Sequence, residues 1–375
     1  MPLPISILFT IPNFITAGSG RVMLNIIERL DRKRFAPAVC VGRMGGALDS
    51  EVRRLNIPFL EAPFSVPARP YLTLLPRAFK AARIFRPLKS ALWHSFHYTD
   101  DYTEPIIARL AGAKGWMYTK KAMGWGSRAW RLRSHLATRI VADNSEMPGI
   151  MFRGTGLKHK VRVIHHGIPT TQYAPGLPLK LGLREKLGCQ NGEALIGCVA
   201  HLVPVKGHPT LLKALAQVPH ARLAIAGRPV DQEYATTLHR MVAELRLGDR
   251  VHFLGPVSDV PALLNELDIA VLPTWAKWRM EGCPVALIEA MACACACVAT
   301  DIPGSRDLVE HGRSGLLVPP EDADALAAGL QQLVASRDLR SRLGQAARRR
   351  VLDHFTIERE VAAYEALHDE IIGLH

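Results

Sequence analysis

The stretch Glu281-Gly-Cys-Pro-Val-Ala-Leu-Ile-Glu289 places two carboxylates, separated by seven residues, on either side of a predicted helix start. Pro284 suits the first residue of a helix, because its φ is fixed and its missing N–H would have no partner there. The apolar run 285–294 predicts a buried helix behind it. Glu281 therefore lies in the loop before the helix, and Glu289 lies more than one turn inside it.

The start of this helix has the features of an anion-binding site. The backbone N–H groups of Gly282 and Cys283 lie beside the positive end of the helix dipole. Gly282 has no side chain, so a ligand can approach its backbone closely. The alternative is an ordinary helix start with two solvated acids, and the spacing alone does not decide between the two.

The segments around and after the second acid carry a resemblance to a known family. They include Ala290-Met-Ala-Cys293, Ala299-Thr-Asp301 and Gly315-Leu-Leu-Val-Pro319. With residues 281–289 they resemble the signature of the retaining family-4 glycosyltransferases, Glu-Gly-Phe-Pro-x-x-x-x-Glu-Ala-Met-Ala-Cys-Gly-x-Pro-Val. Ala294 and Ala296 occupy places that the family usually gives to Gly and Pro, so we expect them to alter the turn after the helix.

A second match follows the predicted strand 195–200, where the sequence is His201-Leu-Val-Pro-Val-Lys206-Gly207. The family pattern there is Gly-Arg-Leu-x-x-x-Lys-Gly, whose Arg and Lys bind the donor diphosphate. The resemblance therefore implies this role for Lys206. His201 replaces the arginine, and a neutral imidazole does not supply a bidentate cationic fork. Either a protonated His201 contacts phosphate, or His201 points into the domain and Lys206 acts alone.

The resemblance also implies the remaining parts of the site. Glu281 would bind hydroxyls of the donor sugar, and Glu289 would bind the ribose of the nucleotide. Val257 belongs to a loop whose backbone contacts the nucleobase in the family, and Gly18 to a loop that approaches the donor phosphates and the acceptor. The predicted catalytic residues are thus Glu281, Lys206 and His201, and the predicted donor-binding residues are Gly18, Val257, Gly282, Cys283 and Glu289.

Strands alternate with helices along the chain, which predicts parallel sheets. A length of 375 residues and a hydrophobic content of 48% suit two ordinary domains. The predicted organisation is an acceptor-side domain over 1–170, a linker over 171–192, a nucleotide-sugar-binding domain over 193–355 and a crossover helix over 356–375. By resemblance this is the GT-B architecture, an α/β fold with two facing Rossmann-like domains, an active site in the cleft and a last helix that returns to the first domain.

The opening of the chain is typical of a nucleotide-fold half-unit. Residues 5–11 predict a buried strand, residues 17–20 a glycine-bearing turn and residues 22–30 a helix. No apolar run reaches 18 residues, so no transmembrane helix is predicted. No basic region precedes the first strand and no cleavage site follows it, which argues against a signal peptide. The predicted location is the cytoplasm, with peripheral contact to the inner face of the membrane.

Charge is uneven along the chain. Residues 1–170 hold 26 Lys and Arg but 10 Asp and Glu, a net charge of +16, whereas the other 205 residues hold 21 and 24, a net charge of −3. This asymmetry indicates that the first domain meets an anionic surface or acceptor. The predicted helix 74–85 carries a basic stripe, which fits an anionic membrane or an ordinary solvated face. The stripe consists of Arg77, Lys80, Arg83 and Arg86.

Residues 115–139 combine Trp116, Trp125 and Trp130 with six Lys and Arg side chains. This composition fits a lipid headgroup zone or a polyanionic acceptor, and nucleic acid through stacking. The alternative is that the tryptophans pack inward. Many family members place a His near the sugar at the strand end here, but this chain has two lysines at 120 and 121, and His97 is another candidate.

The cysteines and one acidic motif raise the question of a metal. Cys293, Cys295 and Cys297 alternate, but three thiols at every second position of one strand suit no common metal site. Buried thiols in a reducing cytosol are therefore the favoured interpretation. Asp322-Ala-Asp324 matches the metal motif of another glycosyltransferase fold, but the helical run behind it favours a helix N-terminus.

The function implied is transfer of a sugar, with retention, from a nucleotide-diphosphate donor to a glycan or lipid-linked acceptor in cell-surface polysaccharide or glycolipid synthesis. Lys206, the amides of Gly282 and Cys283 and the helix dipole can stabilise the departing diphosphate, so neither a metal nor another cofactor is predicted. An anionic membrane is a predicted partner and nucleic acid is not. Front-side attack and double displacement both stay open.

Two other functions stay open. One is a sugar-nucleotide epimerase of the same fold. The other is a non-catalytic protein, binding a polyanion or nucleic acid, built on a decayed glycosyltransferase. His201 and the net charge of +16 favour decay, whereas intact Glu281, Lys206 and Glu289 oppose it.

Overall fold

The computed structural model describes residues 3–15, 17–97, 99–124, 126–178, 181–276 and 281–373. These residues form two compact units. Unit 1 holds the described residues up to His166 and those from Ile357 onward, and unit 2 holds Gly167–Thr356. Trp125, part of the predicted tryptophan-rich stretch, lies outside the described residues. The predicted linker over 171–192 stays a prediction.

The helices of the described residues are short to medium in length. In chain order they are α1 (Ala17–Arg29), α2 (Asp49–Arg54), α3 (Leu74–Phe85), α4 (Thr103–Ala111), α5 (Arg128–Leu136), α6 (Met147–Met151), α7 (Leu183–Lys186), α8 (His208–Ala216), α9 (Gln232–Glu244), α10 (Val260–Glu266), α11 (Val285–Ala292), α12 (Pro303–Leu308), α13 (Ala323–Ala335), α14 (Arg337–His354) and α15 (Ile357–Ile372). None of them is long and apolar enough to cross a membrane.

Unit 1 is built on a seven-stranded parallel sheet in the order β3-β2-β1-β4-β5-β6-β7. Its strands are β1 (Ile5–Ile11), β2 (Phe35–Val41), β3 (Phe59–Glu61), β4 (Leu92–Ser95), β5 (Gly115–Lys120), β6 (Arg139–Ala142) and β7 (Val161–Val163). All six residues of β5 are buried. Continuous burial of this kind requires cover on both faces of the sheet, as helices provide in α/β folds.

Unit 2 is built on a six-stranded parallel sheet in the order β10-β9-β8-β11-β12-β13. Its strands are β8 (Ala194–Val199), β9 (Ala221–Ala226), β10 (Val251–Gly255), β11 (Ile269–Leu272), β12 (Ala296–Thr300) and β13 (Leu316–Val318). Counted within the unit, the order is 3-2-1-4-5-6, the Rossmann arrangement. The prediction of two Rossmann-like parallel sheets is therefore confirmed.

The last helix, α15, belongs to unit 1, as predicted for the crossover helix. Tyr364 and His368 on its inner face are buried, and their rings lie 5.2 and 5.7 Å from the ring of His94 in β4. At its outer end, Glu370 accepts from Arg139 at 2.6 Å and from Arg162 at 2.7 Å. The helix is thus attached to the first sheet by both apolar packing and ion pairs.

The first helix begins earlier than predicted. The glycine-bearing turn expected at 17–20 is the first turn of α1, which starts at Ala17. A Cβ at Gly20 would lie 2.7 Å from the ring of Phe14, which is fully buried. Gly20 is therefore needed for close packing of the helix on the preceding loop, and not to end a turn.

The three cysteines after α11 and the first acid of Asp322-Ala-Asp324 have structural roles. Cys293, Cys295 and Cys297 are buried free thiols, and burial raises the pKa of Cys293 to about 12. Asp322 is the N-cap of α13, accepting from the N–H of Ala325 at 2.8 Å. The structure confirms that the three thiols are buried and that the acidic motif is a helix N-terminus, and the reducing compartment stays a prediction. Among the described residues, no group of three His, Cys, Asp or Glu side chains could hold a metal.

Two tryptophans of the 115–139 stretch pack inward. Trp116 is 1% exposed and Trp130 is 3% exposed. The guanidinium of Arg133, itself buried, lies 4.8 Å from the ring centre of Trp116. These rings are unavailable to lipid or nucleic acid in this conformation, so the inward-packing alternative is confirmed for Trp116 and Trp130.

Helix α11 ends in a turn that has a direct consequence for stability. Ala294 follows the C-cap residue Cys293 with a φ of 58°, in the left-handed region. The N–H of Cys295 bonds to the carbonyl of Ala290, and that of Ala294 to the carbonyl of Met291, both at 3.1 Å. This pair of bonds is a Schellman motif, in which glycine normally holds the left-handed position. The family's Gly at this position therefore has a conformational explanation.

We expect Ala294→Gly to stabilise unit 2 by about 0.5–1 kcal/mol. The gain comes from removing the steric cost of a left-handed alanine, less the greater chain entropy of glycine in the unfolded state. Urea unfolding followed by circular dichroism measures it. The control is Ala328→Gly at an exposed position inside α13, which should lower stability by about 1 kcal/mol. Equal losses in both variants would contradict the turn's role.

Candidate functional site

The strand order of unit 2 creates a crevice between β8 and β11. These strands are neighbours, but β8 is followed in the sheet by β9 on one side and β11 by β12 on the other. In open parallel sheets the connections after such a pair diverge, and ligands bind at the carboxyl ends between them. Lys206 follows β8 and Glu281 follows β11. The fold therefore brings two predicted site residues, 75 positions apart in sequence, to one place.

A glycine holds the turn that carries Lys206 against the end of β11. Gly207 has a φ of +70°, and a Cβ there would lie 1.8 Å from the carbonyl oxygen of Pro273. Two residues earlier in the turn, Val205 accepts a backbone hydrogen bond from Trp275 at 2.9 Å. A side chain at Gly207 would push the two loops apart. The sequence Lys206-Gly207 is thus explained by packing as well as by charge.

Lys206 and Glu281 form a charged hydrogen bond between Nζ and Oε1. Thr274 donates to the other carboxylate oxygen, Oε2, at 3.0 Å. Thr300 in turn donates to the backbone carbonyl of Thr274 at 2.7 Å. The side chains of the pair are 17% and 23% exposed. The carboxylate is therefore held by two donors and remains reachable from solvent.

The loop after Glu281 leads into α11 through Gly282, Cys283 and Pro284, which are buried. Pro284 is the N-cap and not the first helical residue as predicted, because its ψ of 96° is extended. A Cβ at Gly304 would lie 2.2 Å from the carbonyl oxygen of Gly282, so the start of α12 packs directly on this loop. Glu289 lies in the second turn of α11, as predicted, and it is partly exposed.

His201 follows β8 and is half-buried, and no described residue gives its buried Nδ1 a hydrogen bond. Burial lowers its pKa, and the positive charges of Lys206 and Arg228 lower it further. The imidazole is therefore neutral at pH 7 in this structure. A protonated imidazole beside these two cations would require an anion to stabilise it.

Arg228 is a cation that our sequence reasoning missed. It follows Gly227 at the carboxyl end of β9, the strand beside β8, and it is exposed. Its carbonyl accepts from the N–H of Leu202 at 3.0 Å, directly after His201. A Cβ at Gly227 would lie 1.9 Å from the carbonyl oxygen of Ala200, so the two strand ends are in close contact. A lone Arg directly after a buried strand was the available signal.

The two remaining predicted residues lie away from this pair, one after an edge strand of unit 2 and the other in a helix of unit 1. Val257 follows β10 at the edge of the second sheet and is partly buried against its core. Gly18 lies in the exposed first turn of α1 in unit 1, where no atom would contact a Cβ. Neither position contradicts its predicted role, and both roles stay predictions.

His97, the alternative histidine of the first domain, is part of a buried network in unit 1. Its Nε2 lies 2.6 Å from Glu104, which also accepts from Ser95 at 2.9 Å. Burial alone would raise the pKa of Glu104, but His97, Arg133 and Thr10 together hold it at about 2. Glu104 is thus a buried carboxylate that orders the ends of β1 and β4, and His97 is a satisfied core histidine.

Lys206, Glu281 and Glu289 all lie within residues 182–350, which match the family model described as "Glycosyl transferases group 1". We call this matching segment, a little under half of the chain, the group 1 domain. The resemblance to the family-4 glycosyltransferases is thereby confirmed for the part of the chain that carries the site.

Relatives of the chain include transferases of two bacteria. A GDP-mannose-dependent alpha-(1-6)-phosphatidylinositol monomannoside mannosyltransferase of Mycolicibacterium smegmatis is 29% identical over 198 residues, 50% of this chain and 51% of that protein. The lipopolysaccharide core biosynthesis mannosyltransferase LpcC of Rhizobium leguminosarum is 28% identical over 250 residues, 65% of this chain and 67% of that protein. The chain spans about half the length of several such relatives.

The fold comparison extends over both units. Anabaena Alr3699/HepE, solved in complex with UDP and glucose, superimposes with a TM-score of 0.82 at 22% identity, covering 97% of this chain and all of that one. At this identity the likeness shows the fold alone. The predicted GT-B fold is confirmed, with the group 1 domain as its second half.

Proposed function

We propose that this chain transfers a sugar from a nucleotide-diphosphate donor to a glycan or lipid-linked acceptor, with retention of the anomeric configuration. The observation that carries the proposal is the Lys206–Glu281 pair in the crevice between β8 and β11 of a group 1 domain. The names of the relatives support the donor class and a role in cell-surface glycolipid or polysaccharide synthesis, since one uses GDP-mannose and another builds a lipopolysaccharide core.

The reaction requires stabilisation of the negative charge that develops on the departing diphosphate. Lys206 supplies a cation 17% exposed at the crevice, where partial burial strengthens its field. The start of α11, with the amides of Gly282 and Cys283, adds the positive end of a helix dipole. These groups supply the charge stabilisation without a metal ion, so we propose that the reaction requires none.

The two acids have separate roles in the proposal. Glu281, oriented by Lys206 and by the hydroxyl of Thr274, accepts hydrogen bonds from hydroxyls of the donor sugar. Glu289 on α11 accepts from the ribose, as acids do in dinucleotide-binding folds. Arg228 extends the positive region around the diphosphate, and His201 joins it once a bound diphosphate favours the protonated imidazole. The loop at Val257 contacts the base, and Gly18 is assigned to the donor phosphates and the acceptor.

We place the reaction in the cytoplasm, with the chain in peripheral contact with an anionic membrane that presents a lipid-linked acceptor. The net charge of +16 on residues 1–170 supports this contact.

Equilibrium binding tests the donor site. In calorimetric titrations with UDP, GDP and ADP we expect at least one nucleoside diphosphate to bind, and Glu289→Gln to weaken that binding at least tenfold, or ~1.4 kcal/mol. The charged ribose acceptor is lost while side-chain size is kept. Glu244→Gln, at an exposed position on α9, is the control and should bind as the wild type does. Absence of binding by all three ligands would overturn the proposal, and unchanged affinity in Glu289→Gln would remove the ribose role.

A further inference from the structure

Large apolar side chains are exposed together on one surface of unit 1. They belong to the short helical turn Tyr71–Thr73 and to α3, which follows it directly. Leu72 is 95% exposed, Leu75 63%, Tyr71 62% and Phe79 45%. Exposed apolar residues are ordinary when scattered, but a contiguous group of this size marks an interaction site. We call these four residues, with Lys80, Arg83 and Arg86, the α3 surface.

One face of α3 is buried against unit 1 and the other is exposed to solvent. Ala78, Ala81, Ala82 and Phe85 are buried and attach the helix to unit 1. Leu75 and Phe79, four positions apart, share the outer side with Arg83 and Arg86. The fold of unit 1 therefore buries three alanines and Phe85 of the helix and leaves Leu75 and Phe79 exposed.

The α3 surface is held in one conformation by local bonds. Arg77 donates to the backbone carbonyls of Arg69 at 3.0 Å and Pro70 at 2.9 Å, which fixes the short helical turn to the start of α3. The guanidinium of Arg86 lies 4.7 Å from the ring centre of Phe79. The apolar side chains are thus presented by an ordered segment with cations beside them.

Charge in the segment that carries this surface has a single sign. Between Glu61 and Asp100 the sequence has no acidic residue and six Lys and Arg: Arg69, Arg77, Lys80, Arg83, Arg86 and Lys89. Large apolar side chains beside unbalanced cations are the pattern of helices that lie in a membrane interface, where the apolar face enters the acyl boundary and the cations contact anionic headgroups. An acidic protein partner would match the charge, but it would not by itself require Leu72 at 95% exposure.

We propose that the α3 surface docks unit 1 on an anionic lipid bilayer. Tyr71, Leu72, Leu75 and Phe79 enter the headgroup region, and Lys80, Arg83 and Arg86 contact lipid phosphates. Trp116 and Trp130 of the 115–139 stretch do not make this contact, because they are in the core. The inference gives the proposed membrane contact a location, and it does not depend on the donor chemistry of unit 2.

Vesicle sedimentation at low salt tests the proposal with the full chain. The vesicles are phosphatidylcholine alone or phosphatidylcholine mixed with phosphatidylglycerol. One variant removes apolar contact (Leu72→Ser, Leu75→Ser and Phe79→Ser), and a second removes charge (Lys80→Gln and Arg83→Gln). The matched control changes one cation and one exposed apolar residue on α5 (Arg131→Gln and Leu132→Ser), where Leu132 is 43% exposed.

We expect the wild type to bind the anionic vesicles at least tenfold more tightly than the neutral ones. The apolar variant should bind the anionic vesicles at least tenfold more weakly than the wild type. The charge variant should bind them about fivefold more weakly for each cation removed, and this difference should shrink as salt rises. The α5 control should stay within about twofold of the wild type. All substituted side chains but Arg131 and Leu132 lie on the α3 surface and outside the core, so thermal unfolding and nucleoside diphosphate binding should be unchanged.

Three results would overturn the proposal. Wild-type binding that is equal for neutral and anionic vesicles would remove the headgroup contact. Full vesicle binding by both α3 variants, with loss in the α5 control, would place the contact on α5. A wild-type dimer in light scattering that becomes monomeric in the apolar variant, without loss of vesicle binding, would make the α3 surface a protein interface. If the wild type binds none of the nucleoside diphosphates, that result would contradict the proposed function and leave this inference intact.

Discussion

Lys206→Met is expected to lower the rate of donor turnover by about 10²–10³-fold. Methionine keeps most of the length of the side chain but removes the cation that opposes the charge developing on the diphosphate, and loss of one such preorganised group typically has this effect. The variant also leaves Glu281 with Thr274 as its remaining hydrogen-bond donor in the described structure. Because the pair is partly exposed, water can solvate the freed carboxylate, and we expect the fold to survive.

Steady-state release of nucleoside diphosphate measures this effect. Lys213→Met on α8, an exposed lysine of the same unit, is the matched control and should turn over as the wild type does. Glu281→Gln distinguishes the contributions of the two partners. It keeps Lys206 and a hydrogen-bonding group beside Thr274 but removes the negative charge. If Lys206→Met retains more than a third of the wild-type rate, Lys206 is not the leaving-group cation.

His201→Arg is expected to tighten donor binding about tenfold at pH 8 and to flatten its pH dependence. Burial lowers the pKa of His201, and the charges of Lys206 and Arg228 lower it further, so the free protein carries a neutral imidazole above pH 6.5. An adjacent diphosphate favours the charged form and raises this pKa in the complex. Binding then takes up a proton, and wild-type affinity should rise as pH falls from 8 to 6. A permanent guanidinium removes that dependence.

Titration with an intact nucleotide sugar is the measurement, because both its phosphates are esterified and its charge stays constant over this range. Arg228→Met provides the internal comparison. If Arg228 shares the diphosphate, its loss should weaken wild-type binding about tenfold, and His201→Arg should restore most of that loss. A pH-independent wild type, together with no change in His201→Arg, would mean that His201 is not a phosphate ligand and that Lys206 acts without it.

Sequence reasoning located the regular elements well where periodicity was strong. The bounds of β1 and α3 agree with the structure, because an unbroken apolar run or a helical stripe between turn residues leaves few alternatives. It failed at α1, where Gly20 was assigned to a turn. The structure places Gly20 inside the helix, where a side chain would clash with the ring of Phe14. Contacts of this kind depend on tertiary neighbours, which local spacing does not contain.

The site shows the same division. The motifs identified Lys206 and Glu281 separately, but only the strand order, with β8 beside β11, shows that they meet. Arg228 belongs to no motif, and it joins His201 because β9 lies beside β8. The composition of 115–139 left a surface contact and inward packing of the tryptophans both open, and the full burial of β5 places Trp116 inside. Composition did indicate the basic stripe of α3 as a surface. Only the structure shows that large apolar side chains are exposed beside it.

Turnover of nucleotide sugars is the most direct test of the central claim, that Lys206 and Glu281 activate a nucleotide-diphosphate sugar for transfer. The wild type and Lys206→Met are incubated with UDP-, GDP- and ADP-sugars in the presence of a metal chelator, and the sugar and nucleotide products are followed by NMR. We predict that the wild type releases nucleoside diphosphate from at least one donor, with the sugar first appearing in the donor's anomeric configuration, and that Lys206→Met does so at least a hundredfold more slowly. Release from none of the donors, an epimerised nucleotide sugar as the product, or equal rates in the two proteins would contradict it.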